Sequence, residues 1–139
     1  MRQLEVEGGW LLRVEAGEHL PAAVAAFCRD RGIPAATVSG LGALKDVELG
    51  YYHVDTRRYE RTVLPGSWEL LAFTCTVAEW EGAPFAHTHV VISGPDFIAR
   101  GGHLFDGTVS VTAELRLTVV SRPVRRRMDD TFALHFLDL

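Results

Sequence analysis

The residues best placed to do chemistry are His87-Thr88-His89, in the run Gly82 to Ile92, and His103 in Gly101-Gly102-His103-Leu104. On a β-strand, residues i and i+2 project from one face, so His87 and His89 stand side by side. Two such imidazoles can share one divalent ion, and a third ligand from a neighbouring strand completes a facial set. His103 is the candidate third ligand: it lies one hairpin away, and Gly101-Gly102 lets the backbone bend or approach closely there. Three histidines leave one position open, as in a catalytic rather than a structural zinc site. The plainer alternative is a polar, solvent-facing histidine stripe, which an HxH on a strand can produce by chance.

Strands must position these residues. The run Trp68 to Trp80 is apolar on both faces and reads as a central, covered strand. Glu81-Gly82-Ala83-Pro84 closes a hairpin into Phe85 to Ile92, and Ser93-Gly94-Pro95-Asp96 turns the chain into Phe97 to Arg100. From Thr108 to Val120, Val109, Val111, Ala113, Leu115, Leu117 and Val119 alternate with polar residues, as in a sheet with one buried face. Earlier runs, Trp10 to Val14, Thr37 to Leu41, Asp46 to Val54 and Tyr59 to Leu64, read as shorter strands, with a turn at Pro65-Gly66. Thr131 to Leu137 reads as an edge strand.

One segment is helical. Leu20, Val24, Phe27 and Cys28 form a single stripe, Pro21 suits the first turn, and Gly32 and Pro34 stop the helix after Arg31. The expected architecture is therefore α+β: a mostly antiparallel sheet with one amphipathic helix packed on it. All 139 residues form one domain, with a core from about 8 to 120 and a C-terminal basic loop and edge strand at 121–139.

Composition narrows the functional classes. Apolar residues make up 47% and charged residues 23%, near the globular average, which excludes disordered and collagen-like chains. No apolar run approaches the roughly 18 residues of a membrane span. The acidic residues near Met1 do not suit a signal peptide, so a cytoplasmic location is expected. Cys28 and Cys75 lack CxxC spacing and lie among apolar residues, as reduced core thiols do. A net charge of −4 is a poor footprint for nucleic acid. Arg122, Arg125, Arg126 and Arg127 form a local basic run, but Asp129 and Asp130 follow, as in a solvated loop of mixed charge.

Other residues carry weaker signals. Glu69 and Glu114 could orient a metal-bound histidine or act as a base on bound water, or could simply pair with Arg100 or Arg116 across strands. His19, His53 and His135 have no motif around them and read as surface or satisfied positions. Trp10, Trp68 and Trp80 read as core or subunit interface, and Tyr51 and Tyr52 as packing or a pocket wall. Gly40-Leu41-Gly42 lacks the pattern of a phosphate loop. A cupin site would add a glutamate soon after HxH, where this chain has Val90-Val91-Ile92-Ser93-Gly94.

The ordered motifs Val38-Ser39-Gly40-Leu41-Gly42-Ala43-Leu44, Val47 to Tyr52, Glu69-Leu70-Leu71, His87-Thr88-His89 and Gly101-Gly102-His103-Leu104 resemble the PPC (plants and prokaryotes conserved) domain. Val109 and Glu114 fit its closing strand, and the likeness runs from about Gly8 to Val120. The resemblance implies a mixed, mostly antiparallel sheet with a flanking helix, assembled as a homotrimer. It also implies a metal site, zinc or another divalent ion, at His87, His89 and His103 near a subunit boundary. Plant members carry an AT-hook before the domain, but only seven residues precede Gly8 here and none form an Arg-Gly-Arg-Pro element. Ser121 to Arg127 has the wrong order for one.

The expected function is a non-enzymatic, homotrimeric metal-binding module for a small molecule or partner protein. DNA binding through Arg122 to Arg127 is one alternative. A metal-dependent hydrolase or lyase, with the three-histidine centre activating water, is another.

Overall fold

Period-two alternation of apolar residues dominates the chain, and in a computed structural model describing residues 1–139 it produces eight strands, with one helix packed on them. The strands are β1 (Arg2–Val6), β2 (Gly9–Glu15), β3 (Ala36–His53), β4 (Arg58–Trp80), β5 (Ala83–Ser93), β6 (Ala99–Val119), β7 (Arg125–Asp129) and β8 (Leu134–Asp138). The helix, α1 (Leu20–Asp30), lies between β2 and β3 in sequence and buries Leu20, Val24, Phe27 and Cys28. Those four are the stripe that the sequence predicts, and the helix lays them against β5 and β6.

Four long strands pair in a closed circuit. β3 pairs with β4 and β6, and β5 pairs with the same two strands from the other side, all antiparallel. β1 and β2 extend this sheet from β6. The β7–β8 hairpin joins β4 through one parallel pairing, Glu79 with Arg125. The sheet is thus mixed but mostly antiparallel, as expected. Phe73, Leu70, Ile92, Leu104 and Leu117 fill the interior and are almost wholly removed from water. Burial of each contributes about 1.5–3 kcal/mol.

The strands are longer than the sequence suggests because bulges carry them through apparent turns. Thr37 to Leu41 and Asp46 to His53 are one strand, β3, with irregular pairing at Gly40/Gly42 and Lys45/Val47, and Val54 begins the turn after it. Pro65-Gly66 is not a turn. It lies inside β4 opposite Asp46, whose Oδ1 accepts the Gly66 N–H at 3.2 Å. An inserted residue with positive φ absorbs a proline without ending the strand, and both Asp46 (φ 54°) and Gly66 (φ 80°) have it. Ala99-Arg100 and Thr108 to Val119 likewise merge into β6, whereas Phe97, with positive φ, and Ile98 belong to the turn before it. Val111 alone leaves the buried row, 71% exposed, where β6 slips in register between Val109 and Ala113.

β4 is central, as its composition predicts, but from Leu71 to Thr74 its second face is left open. Phe73, Cys75 and Val77 are buried, whereas Leu71 is 52% exposed. The arginine run also departs from expectation: Arg125 to Asp129 form strand β7 rather than a solvated loop, held by backbone pairing to β8 and by a Glu79–Arg125 ion pair of 3.2 Å.

Candidate metal centre

A tight two-residue hairpin starts the site. Glu81 and Gly82, both with positive φ (51° and 80°), join β4 to β5 in the left-handed geometry that matches strand twist. Alternation along β5 then turns Thr88, Val90 and Ile92 inward and His87 and His89 to the opposite face. Between the histidines, buried Thr88 donates its hydroxyl to the Leu104 carbonyl at 2.8 Å, tying β5 to β6. In that register His89 and His103 are direct cross-strand partners.

The structure brings the three sequence-predicted histidines together. Their ring centroids lie 5.1–5.3 Å apart, and one ligand nitrogen from each lies within 4.8 Å of the others. Burial, the Arg126 charge and His89 push His87 down to about 4. Burial first, then His87, His89, Arg61 and Arg126, pushes His103 down to about 4 as well. Both are therefore neutral at pH 7, the form in which imidazole binds metal. His103 Nδ1 is buried with no hydrogen-bond partner, a polar atom that the fold leaves unsatisfied. Three converging imidazoles, one with an orphaned nitrogen, fit a divalent ion of intermediate softness such as zinc.

The histidines open into a cavity of about 660 Å³ walled by Tyr59, Trp80, Phe85, Phe105 and Phe136. Tyr59 and Phe105 sit against His103, with centroids 5.3 and 4.6 Å away. Arg61 stacks on the far ring, 3.4 Å from the Phe105 centroid. Burial, then Tyr52, pushes the Tyr59 phenol up, so it is protonated at neutral pH.

Two wall residues carry no sequence signal as site residues. Half-buried Arg126 donates to the His135 carbonyl at 3.0 Å and to Thr76 Oγ1 at 2.9 Å. Its guanidinium lies 5.6 Å from the Phe85 centroid. His135, which lacks any motif, packs on Trp80 with centroids 4.9 Å apart. β8 delivers it from far along the chain, and alternation within a five-residue strand is too short to announce it.

The remaining candidates lie elsewhere. Glu69 and Glu114 are exposed and outside the cavity, and neither makes the arginine pair expected of it. Arg100 instead binds Asp96 at 2.8 Å, and Arg116 donates to the Glu7 carbonyl. His19 and His53 pair with Asp106 and Glu60 at 2.8 and 2.9 Å. Tyr51 is exposed, Tyr52 donates to the Phe132 carbonyl, Trp10 packs on Phe27, and Arg100 stacks over Trp68. Cys28 and Cys75 are free and buried, and burial pushes their thiols up to about 11 and 12. Neither is a nucleophile.

The model of the Plants and Prokaryotes Conserved (PCC) domain matches residues 1–121. No curated protein matches the sequence. Among solved structures, a plant- and prokaryote-conserved (PPC) protein of Pyrococcus horikoshii is 32% identical, with TM-score 0.85 over 93% of this chain and 90% of that one. A metal-containing protein of Archaeoglobus fulgidus is 30% identical, with TM-score 0.85 over 98% of both chains. A candidate DNA-binding protein of Bacteroides thetaiotaomicron superposes with TM-score 0.94 over 99% of this chain and 96% of that one, but at 19% identity the likeness is one of fold alone. The match across most of its length, with the three histidines gathered as described, makes this chain a member of the Plants and Prokaryotes Conserved domain family.

Proposed function

We propose that this protein is a metal-binding module in which His87, His89 and His103 hold a divalent ion, zinc, and the aromatic cavity beside them receives a small molecule. The observation that carries this reading is the convergence of three ligand nitrogens within 4.8 Å at the floor of that cavity. The Archaeoglobus relative described as metal-containing supports it. No carboxylate lines the cavity, and its one further imidazole, His135, is packed against Trp80, so binding is favoured over hydrolysis.

The module works as a homotrimer on this reading. The outer sheet face continues through the register Leu11–Arg116–Ser39–Thr74–His89. Leu11, Leu41, Leu71 and Val91 are all at least 40% exposed. A second copy covering that face would sit beside His89, which itself is exposed. DNA binding finds less support: Arg126 is turned into the cavity and Arg125 is paired with Glu79, so half of the four-arginine run is engaged.

The test is metal content per chain in tag-free protein, beside His87→Ala, His89→Ala and His103→Ala, with mass in solution from light scattering. One ion per chain, lost in each variant, is the expected result. Protein that neither carries nor takes up zinc sinks the metal reading, and a monomeric mass sinks the trimer.

A further inference from the structure

The cavity has a wall that lies beyond the family match. That match ends at residue 121, whereas Arg126, His135 and Phe136 reach the three-histidine floor from the β7–β8 hairpin. We propose that this hairpin converts the metal centre into a receptor for a small organic carboxylate with an apolar body, whose anionic head is held between Arg126 and the open metal position. The inference deepens the metal reading above and rests on it.

Charge is the first argument. Arg126 is half-buried, has no carboxylate partner, and leaves its Nε–H without an acceptor. No residue lining the cavity is acidic. A divalent ion on the three imidazoles would add further positive charge to the same enclosure. A desolvated cation without a counter-charge is costly, and a bound anion relieves that cost at both cations together. An aromatic cage for a cationic ligand is excluded by the same guanidinium.

Shape and donor count name the class. A volume of about 660 Å³ lies in the range of small-molecule sites, roughly 300–1,000 Å³. Tyr59, Trp80, Phe85, Phe105 and Phe136 offer ring faces to an apolar body. The lining has one guanidinium, no lysine and no glycine-rich turn. That suits the single charge and planar fork of a carboxylate, and falls short of the several donors that cradle a phosphate.

The test uses full-length, zinc-loaded protein titrated with benzoate, hexanoate, benzamide and inorganic phosphate, followed by tryptophan fluorescence and calorimetry. Benzoate and hexanoate should bind, benzamide at least about tenfold more weakly than benzoate, and phosphate more weakly than either carboxylate. Arg126→Gln should lose about tenfold or more in benzoate affinity while keeping its zinc. If that variant fails to fold, Arg126→Lys, which keeps charge but not the fork, is judged by the benzoate-to-benzamide ratio, which should shrink. Equal binding of benzamide, tighter binding of phosphate, no carboxylate binding at millimolar concentration, or unchanged affinity in Arg126→Gln overturns the proposal. So does loss of zinc in that variant, which would make Arg126 a support of the metal site. Should wild-type protein take up no zinc, the metal reading has failed, and the role of Arg126 is decided by the same ratio and variant in metal-free protein.

Discussion

Gly101 lies so close to Val90 that a Cβ built on it would stand 2.4 Å from the Val90 carbonyl oxygen. This contact sits two residues from His103, where β5 and β6 set the spacing of His89 and His103. Gly101→Ala must push the two strands apart, an overpacking that costs about 1–3 kcal/mol. We expect a lower urea midpoint and weaker zinc uptake, with Val111→Thr, at an exposed position, changing stability by less than about 0.5 kcal/mol. An unchanged midpoint and affinity in Gly101→Ala would show that the strands separate without cost.

Thr88 clamps the same two strands from the buried side. Thr88→Val keeps the volume but removes the hydroxyl that the Leu104 carbonyl accepts. The expected loss is about 1 kcal/mol in chemical denaturation. A stabilised Thr88→Val protein would mean that the hydroxyl is a burden the core tolerates.

The metal-free protein should lose stability on mild acidification. His87 and His103 ionise near 6.5 when unfolded but only near 4 in the fold. Between those values the unfolded chain binds more protons, so stability rises with pH across the window from about 4 to 6.5 and is fully present above it. The check is thermal denaturation of metal-free protein at intervals of pH from 4 to 7.5, beside His87→Gln/His103→Gln. The double variant should show a flatter profile. Parallel profiles would place the acid sensitivity elsewhere.

Much of this arrangement was legible because it follows from local periodicity. The α1 stripe and the alternation of β6 each read directly from spacing, and i, i+2 geometry placed His87 and His89 together. What escaped depends on pairing between distant segments. Pro65-Gly66 has the local chemistry of a turn, and only Asp46 across the sheet shows that it is a bulge. Arg126 has the local chemistry of a solvated charge, and only Thr76 on β4 and His135 on β8 show why it turns inward. The open stretch of β4 has a related cause: Leu71 looks like a core residue in the sequence, but nothing in one chain covers it.

The β7–β8 hairpin should be the least stable part of the structure. It joins the sheet through one parallel pairing, the Glu79–Arg125 ion pair, the Arg126–Thr76 hydrogen bond, the packing of His135 on Trp80 and the bond from the Tyr52 hydroxyl to the Phe132 carbonyl, while most of its residues are exposed. Regions with few buried apolar contacts open at far lower cost than core strands. In native-state hydrogen exchange, β7 and β8 amides should exchange well before those of β4 and β6. Tyr52→Phe removes one anchor worth about 1 kcal/mol, and should speed hairpin exchange by roughly fivefold while leaving β6 unchanged. Since the hairpin carries Arg126, the same variant should also hasten ligand release from the cavity without lowering zinc content. Hairpin amides protected as long as those of β4 would mean that the roof is fused to the core, and ligand would then have to enter by another route.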